Sequence, residues 1–131
     1  MEMDLQTIKA EADNLKRNFN SMDRNEKESN LFRIVDKIFF TQNSRIDLKT
    51  KNNYNILKVL HQKKIIIDNL DEKLEILKEM KRICHTVFGD FSIRKFPDNL
   101  VSDIVGNLAA LLLMQIEKEI REIENIRVNA A

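Results

Sequence analysis

Residues 5–22 read LQTIKAEADNLKRNFNSM, and their apolar side chains recur at alternating steps of three and four residues. The apolar positions are Leu5, Ile8, Ala12, Leu15, Phe19 and Met22. This spacing lines all six along one face of an α-helix, like the a/d seam of a heptad repeat. Because an isolated helix of this length is only marginally stable in water, the seam must pack against something. It fits either one helix of a bundle or an intermolecular coiled coil.

The composition extends this helical prediction to the whole chain. Among 131 residues there are two glycines and one proline, and neither Asn-Gly nor Asp-Gly occurs. Sandwiches and barrels need many tight turns built from such residues, so the counts argue against them and against doubly wound α/β folds. The chain is 43% hydrophobic with a net charge of +1, unlike a disordered segment. We expect one all-α domain over residues 1–131.

Polar breaks divide the chain into an elongated bundle of four helices, at about 3–22, 26–41, 45–88 and 98–127. The apolar stripe of the second helix consists of Leu31, Ile34, Val35 and Ile38, widened by Phe32, Phe39 and Phe40. Four of the seven phenylalanines lie between residues 19 and 40. Since aromatic side chains bury large areas, this region is expected to form a core cluster.

The third pattern allows one helix or two. Ser44 and Asp47 resemble a capping box at its start. Its best apolar face consists of Ile56, Leu60, Ile67, Leu70, Leu74, Leu77, Cys84 and Phe88. That face passes through 68–69 without changing phase, which favours one helix over 45–88. Asp68 could instead cap a new helix there, which would give five helices.

The irregular segment is expected at residues 90–97. Gly89 has the position of the C′ glycine that ends a helix, and Pro97 is the only proline of the chain. Asp98 can cap the last helix. Gly106, inside that helix, would allow a neighbouring helix to approach closely.

The last helix contains the most unusual stretch, LAALLLM at residues 108–114, which is apolar on every face for two turns. Such a segment is either central in the fold or shared with another chain. Together with the first seam it predicts a self-association face. The residues of that face are Leu108, Leu111, Leu112, Met114, Leu5, Ile8, Leu15 and Phe19.

Positive charge is concentrated in residues 31–67, which hold eight basic and two acidic side chains. The basic face predicted there consists of Arg45, Lys49, Lys51, Lys58, Lys63 and Lys64. A nucleic-acid-binding surface uses such charges to displace counterions from phosphates. A solvated face, or one docked on the chain's own acidic segments, would explain the same residues without a ligand.

The residue types that carry catalysis or bind metals form no recognisable motif. His61, Cys84 and His85 match no zinc-ligand spacing, and two isolated glycines cannot form a phosphate-binding loop. We therefore expect no catalytic residue, no metal and no cofactor. The longest apolar run, 108–114, is far shorter than the roughly 20 residues of a membrane span, and no signal-peptide pattern is present. These features, with a single cysteine, predict a soluble cytoplasmic protein without a membrane partner.

The leading hypothesis is a small helical interaction module without catalysis, which forms a homodimer and binds a further, unidentified protein. A narrower version is a viral or mobile-element accessory protein in a host cytoplasm, because Ile, Lys and Asn, all with A/T-rich codons, contribute 44 residues. The alternative is a nucleic-acid-binding accessory or regulatory protein that uses residues 31–67. An enzyme without a recognisable motif is a third hypothesis.

Overall fold

A computed structural model describes residues 4–41, 46–93 and 99–130, and these residues form five α-helices and no strand. The helices are α1 (Leu5–Asn18), α2 (Arg24–Thr41), α3 (Leu48–Ile66), α4 (Leu70–Ile93) and α5 (Asn99–Ala130). A short 3-10 turn, Phe19–Ser21, follows α1. The prediction of an all-α helical bundle is confirmed. Within the described ranges, no helix combines the length and the hydropathy that a membrane crossing requires.

α5 is the central helix of the bundle. It packs against α1, α2 and α4, while α1 also packs against α2, and α3 packs against α4. With 32 residues, α5 is about 48 Å long, which is enough to contact three neighbours along its length.

The seam of α1 lies in the core, as one helix of a bundle requires. Ile8, Ala12, Leu15 and Phe19 are buried, and Leu5 and Met22 pack against the edge of the core. The stripe of α2 is buried as well. Phe40 is the exception in the predicted aromatic cluster, because 73% of it is exposed.

The third predicted helix is in fact two helices. α3 ends at Ile66 and α4 begins at Leu70, so the expectation of one continuous helix was wrong and the alternative break is confirmed. Ile67 has φ −89° and ψ 128°, an extended conformation that interrupts the helix. The residue that caps α4 is Asn69 and not Asp68. Its Oδ1 accepts a hydrogen bond from the backbone N–H of Glu72 at 3.0 Å.

Aspartates cap the three preceding helices. Asp4, Asp23 and Asp47 each accept a hydrogen bond from a backbone N–H in the first turn of α1, α2 and α3. Asp47 is therefore the N-cap of α3 itself and not the N3 residue of a capping box. Ser44, its predicted partner, lies outside the described residues.

Two predictions about glycine were wrong. α4 continues past Gly89 to Ile93, and no described residue has a positive φ, so Gly89 does not end the helix. Gly106 lies on the exposed side of α5, where an added Cβ would meet no atom within 4 Å. The expected close helix contact is therefore not formed at this glycine within the described chain. Asp98, the predicted cap of α5, lies outside the described residues.

Candidate interaction surface

α3 presents two opposite faces, and the more apolar one points away from the bundle. The inner α3 face steps by four and three residues and is buried; it consists of Thr50, Tyr54, Leu57, His61 and Lys64. The outer α3 face also steps by three or four residues and is exposed; it consists of Leu48, Asn52, Ile56, Val59, Lys63 and Ile66. A surface helix of a globular protein normally has the reverse arrangement. α3 thus buries a charge, while four aliphatic side chains of the outer α3 face, and Ile65 beside the inner one, lie in solvent.

The inner α3 face is held by a carboxylate of α2. Both oxygens of Glu28 lie 2.7 Å from Nζ of Lys64, and Oε2 also lies 2.7 Å from Nε2 of His61. Since a carboxylate can only accept, Nε2 is the ring nitrogen that donates. All three side chains are buried. Lys64 also donates to Oε1 of Glu119 on α5, at 2.9 Å, so α2, α3 and α5 meet at one ammonium group.

The cluster continues toward solvent through Arg24 of α2. Its Nη2 donates to Glu122 at 2.6 Å, and its Nη1 lies 3.9 Å from Glu119. Nε of Arg24 is buried without a hydrogen-bond partner among the described residues. We call these six side chains the ion-pair network; Glu28, His61, Lys64 and Glu119 are buried, and Arg24 and Glu122 are partly exposed.

The network changes the acidity of Glu28. Burial alone would raise the pKa of this carboxyl, because a low-polarity environment disfavours the charged form. The hydrogen bonds from His61 and Lys64 outweigh burial and hold the pKa below its ordinary value. Glu28 is therefore ionised at neutral pH, as the ion pair with Lys64 requires.

The network explains why α3 keeps its aliphatic side outward. If the helix rotated to bury Ile56, Val59 and Ile66, Glu28 and Glu119 would lose their cation inside the bundle. Breaking a buried ion pair costs several kcal/mol, because the remaining charge is left without a partner. These polar contacts, together with the buried side chains of Tyr54 and Leu57, hold α3 in this orientation, and the outer α3 face is exposed as a consequence.

A second contact between α2 and α3 reinforces this orientation. The hydroxyl of Tyr54 donates to Asp36 at 2.7 Å, and its ring stacks on Phe39 with the centroids 4.2 Å apart. Burial and the neighbouring Asp36 carboxylate raise the pKa of Tyr54 above its ordinary value. Lys58 closes the contact with an ion pair to Asp36 at 3.0 Å.

A cleft of about 610 Å³ between α2 and α3 offers no free charge to a ligand. Its basic side chains already have partners within the bundle. Arg33 and Lys37 both bind Glu11 of α1, and Lys58 binds Asp36. The basic lining of the cleft therefore stabilises the contacts between helices.

Most of the predicted self-association face lies inside the bundle. Ile8, Leu15, Phe19, Leu108 and Leu112 are buried in the core. Leu5 and Leu111 are half-buried and pack against it, and Met114 alone is largely exposed, at 60%. The apolar turn at 108–114 is thus central in the fold along much of its circumference.

The predicted basic face is divided by the structure. Lys64 is buried in the ion-pair network, and Lys58 pairs with Asp36. Lys49, Lys51 and Lys63 lie on α3 without an ion pair to any described residue, and Arg45 lies outside the described residues. The structure therefore does not bring the six residues together on one surface.

The possible metal ligands His61, Cys84 and His85 have different surroundings. His61 is in the network, His85 is exposed on α4, and Cys84 is buried next to it in sequence. Burial raises the pKa of the Cys84 thiol to about 12. No group of three or more His, Cys, Asp or Glu side chains within the described ranges is arranged to hold a metal ion.

The sequence carries a signal for the ion-pair network. Glu28 stands three residues before Leu31 and so belongs to the apolar stripe of α2. Gln115 and Glu119 extend the row of Leu108 and Leu112 at steps of three and four. Charged and amide side chains at such seam positions are expected to be buried and paired. Only the structure shows which of them meet.

Comparisons with protein-family models, with curated proteins and with solved structures found no match to this chain. Its function is therefore inferred from its own residues.

Proposed function

We propose that the protein is a helical protein–protein interaction module whose contact surface is the outer α3 face. The observation that carries this proposal is the exposure of its aliphatic row. Leu48, Ile56, Val59 and Ile66 are 72%, 47%, 50% and 79% exposed. Single exposed apolar side chains are normal, whereas several aligned on one helix face indicate a contact site.

The row has the geometry and the energy of a helix-docking surface. Its spacing matches the anchors by which amphipathic helices are recognised. Fully burying one such side chain contributes about 1.5–3 kcal/mol, so covering four partly exposed ones supplies several kcal/mol. The ion-pair network holds the row outward, so little ordering of α3 is needed when a partner binds.

The homodimer predicted from the sequence depended on side chains that the bundle buries. Pairing through Leu108 and Leu112 would require α5 to leave its neighbours, whereas contact through the outer α3 face requires no opening. A nucleic-acid function has less support, because Lys58 and Lys64 are occupied by carboxylates. Binding to DNA or RNA with a steep dependence on salt, abolished in a variant with Lys49, Lys51 and Lys63 changed to Glu, would favour that alternative.

Selection from a phage-displayed library of helical peptides tests the proposal. Phage selected on the wild-type protein should lose at least tenfold of their binding to an Ile56→Asp/Val59→Asp variant. Both positions are exposed, so the variant should fold, which its circular dichroism spectrum verifies. The matched control is Met114→Asp on α5, which should bind like the wild type. Selected phage that bind the double variant undiminished, or no selected phage at all, would contradict the proposal.

A further inference from the structure

The charges beside the outer α3 face indicate the chemistry of its partner. α3 contains five lysines and no carboxylate. Two of these lysines are neutralised inside the protein, Lys58 by Asp36 and Lys64 by Glu28 and Glu119. Lys49, Lys51 and Lys63 make no ion pair with any described residue, and Lys63 stands in the aliphatic row between Val59 and Ile66. The face is therefore an apolar row with uncompensated positive charge.

We infer, resting on the proposed function, that the outer α3 face binds an amphipathic helix of another protein whose apolar side chains are flanked by Asp or Glu. The apolar side chains of that helix cover Ile56, Val59 and Ile66. Its carboxylates lie against Lys63 and, toward the start of α3, against Lys49. These two lysines are about 21 Å apart along the axis of α3, so an acidic helix of about four turns reaches both.

A second copy of this chain fits the surface poorly. In a symmetric pairing of two α3 helices, each copy would bring the same two uncompensated lysines, Lys49 and Lys63, and no carboxylate from α3. Like charges brought together across an interface oppose association. The charge pattern therefore favours an acidic partner over self-association at this face.

Phosphate-rich and lipid partners also match the face less well. Aliphatic side chains separate Lys49 from Lys63, whereas a polyanion is bound best by a continuous basic patch. A membrane would have to accommodate Lys63 within the row that inserts, although a charged side chain is costly in hydrocarbon. An acidic helix satisfies the aliphatic and the basic side chains together.

The test compares two synthetic helical peptides by fluorescence anisotropy. Both carry the apolar seam recovered in the phage selection; one has Glu at every flanking position and the other has Lys. We expect the Glu-flanked peptide to bind at least tenfold more tightly at low ionic strength, with a smaller ratio at high salt because salt screens exposed charges. Lys63→Glu should invert the preference. Lys118→Glu, an exposed lysine on α5, is the matched control and should leave the preference unchanged.

Four results would overturn the inference, and they separate it from the proposed function. Equal binding of the two peptides, lost in Ile56→Asp/Val59→Asp, removes the acidic partner but retains the interaction surface. If neither peptide shows binding that is lost in this double variant, both the acidic partner and the interaction surface are removed. A dimer seen by light scattering that Val59→Asp dissociates assigns the face to a second copy. Co-sedimentation with phosphatidylcholine–phosphatidylserine vesicles that Val59→Asp abolishes assigns it to a membrane surface.

Discussion

Glu28 on α2 holds Lys64 on α3 with both carboxylate oxygens, each 2.7 Å from the ammonium nitrogen, and both side chains are almost fully buried. The pair joins α2 and α3, which are separated in the sequence by residues 42–47. Because both charges are shielded from water, Lys64 depends on Glu28 and Glu119, and Glu28 depends on Lys64 and His61. This dependence helps to hold α3 in its orientation and so keeps the outer α3 face exposed.

Removing one member of this pair should be strongly destabilising. Glu28→Gln keeps the size of the side chain but deletes the charge opposite Lys64. We expect the free energy of unfolding to fall by about 3 kcal/mol, the lower end of the range for broken buried ion pairs, because Glu119 still pairs with Lys64. Urea unfolding followed by circular dichroism measures the loss.

The control for this experiment is an ion pair in solvent. Lys9 and Asp13 on α1 lie 2.9 Å apart, and both side chains are more than 40% exposed. Because exposed pairs contribute little, Lys9→Met should change the free energy of unfolding by less than about 1 kcal/mol. Equal losses in the two variants would refute a special role of Glu28.

The stability of the protein should fall in acid, in part through Glu28. The pKa of this carboxyl is lower in the folded protein than its ordinary value of 4.5, so between the two values the unfolded chain binds more protons. Its contribution is therefore fully present above about pH 4.5 and is lost as the pH falls through the folded pKa. Urea midpoints across this range should fall more steeply for the wild type than for Glu28→Gln. Parallel curves would show that Glu28 is not responsible.

The helices that could be predicted from the sequence are those whose inner faces are apolar. The seam of α1 and the stripe of α2 point to the core, and Leu74, Leu77, Cys84 and Phe88 of α4 are buried as expected. The apolar pattern of α3 predicts the wrong inner face, because burial in this helix does not follow hydrophobicity. Its aliphatic Ile56 is exposed, while His61 and Lys64 face inward. In this helix, the ion pairs with α2 and α5 and the packing on α4 together decide which face is inside.

The apolar pattern also fails to predict the break between α3 and α4, for a related reason. Ile67 and Leu70 continue the spacing of Ile56 and Leu60, so the spacing by itself predicts an uninterrupted helix. The three residues that leave the helix, 67–69, shift the buried face between α3 and α4. Such a shift follows from packing on different neighbours, since α4 contacts α5 along with α3.

Asn69 should be the residue that stabilises the start of α4. Its side chain accepts the N–H of Glu72, so Asn69→Ala leaves that donor without its protein partner and should cost about 1 kcal/mol. Asp68→Ala should change stability by no more than about 0.5 kcal/mol, because Asp68 is an exposed residue before the cap. Thermal unfolding of the two variants side by side distinguishes them. A larger effect at Asp68 would place the cap one residue earlier.

Truncation of Leu112 and truncation of Met114 should differ strongly in their effect on stability. Leu112 is 3% exposed within the bundle, so Leu112→Ala should lower the free energy of unfolding by about 2–5 kcal/mol through the lost contacts and the cavity. Met114 is 60% exposed, and Met114→Ala should change it by less than about 0.5 kcal/mol. Urea unfolding at two protein concentrations completes the measurement. If Leu112 is buried by its own chain, the loss is independent of concentration; if it is buried by a second chain, the unfolding midpoint of the wild type rises with concentration.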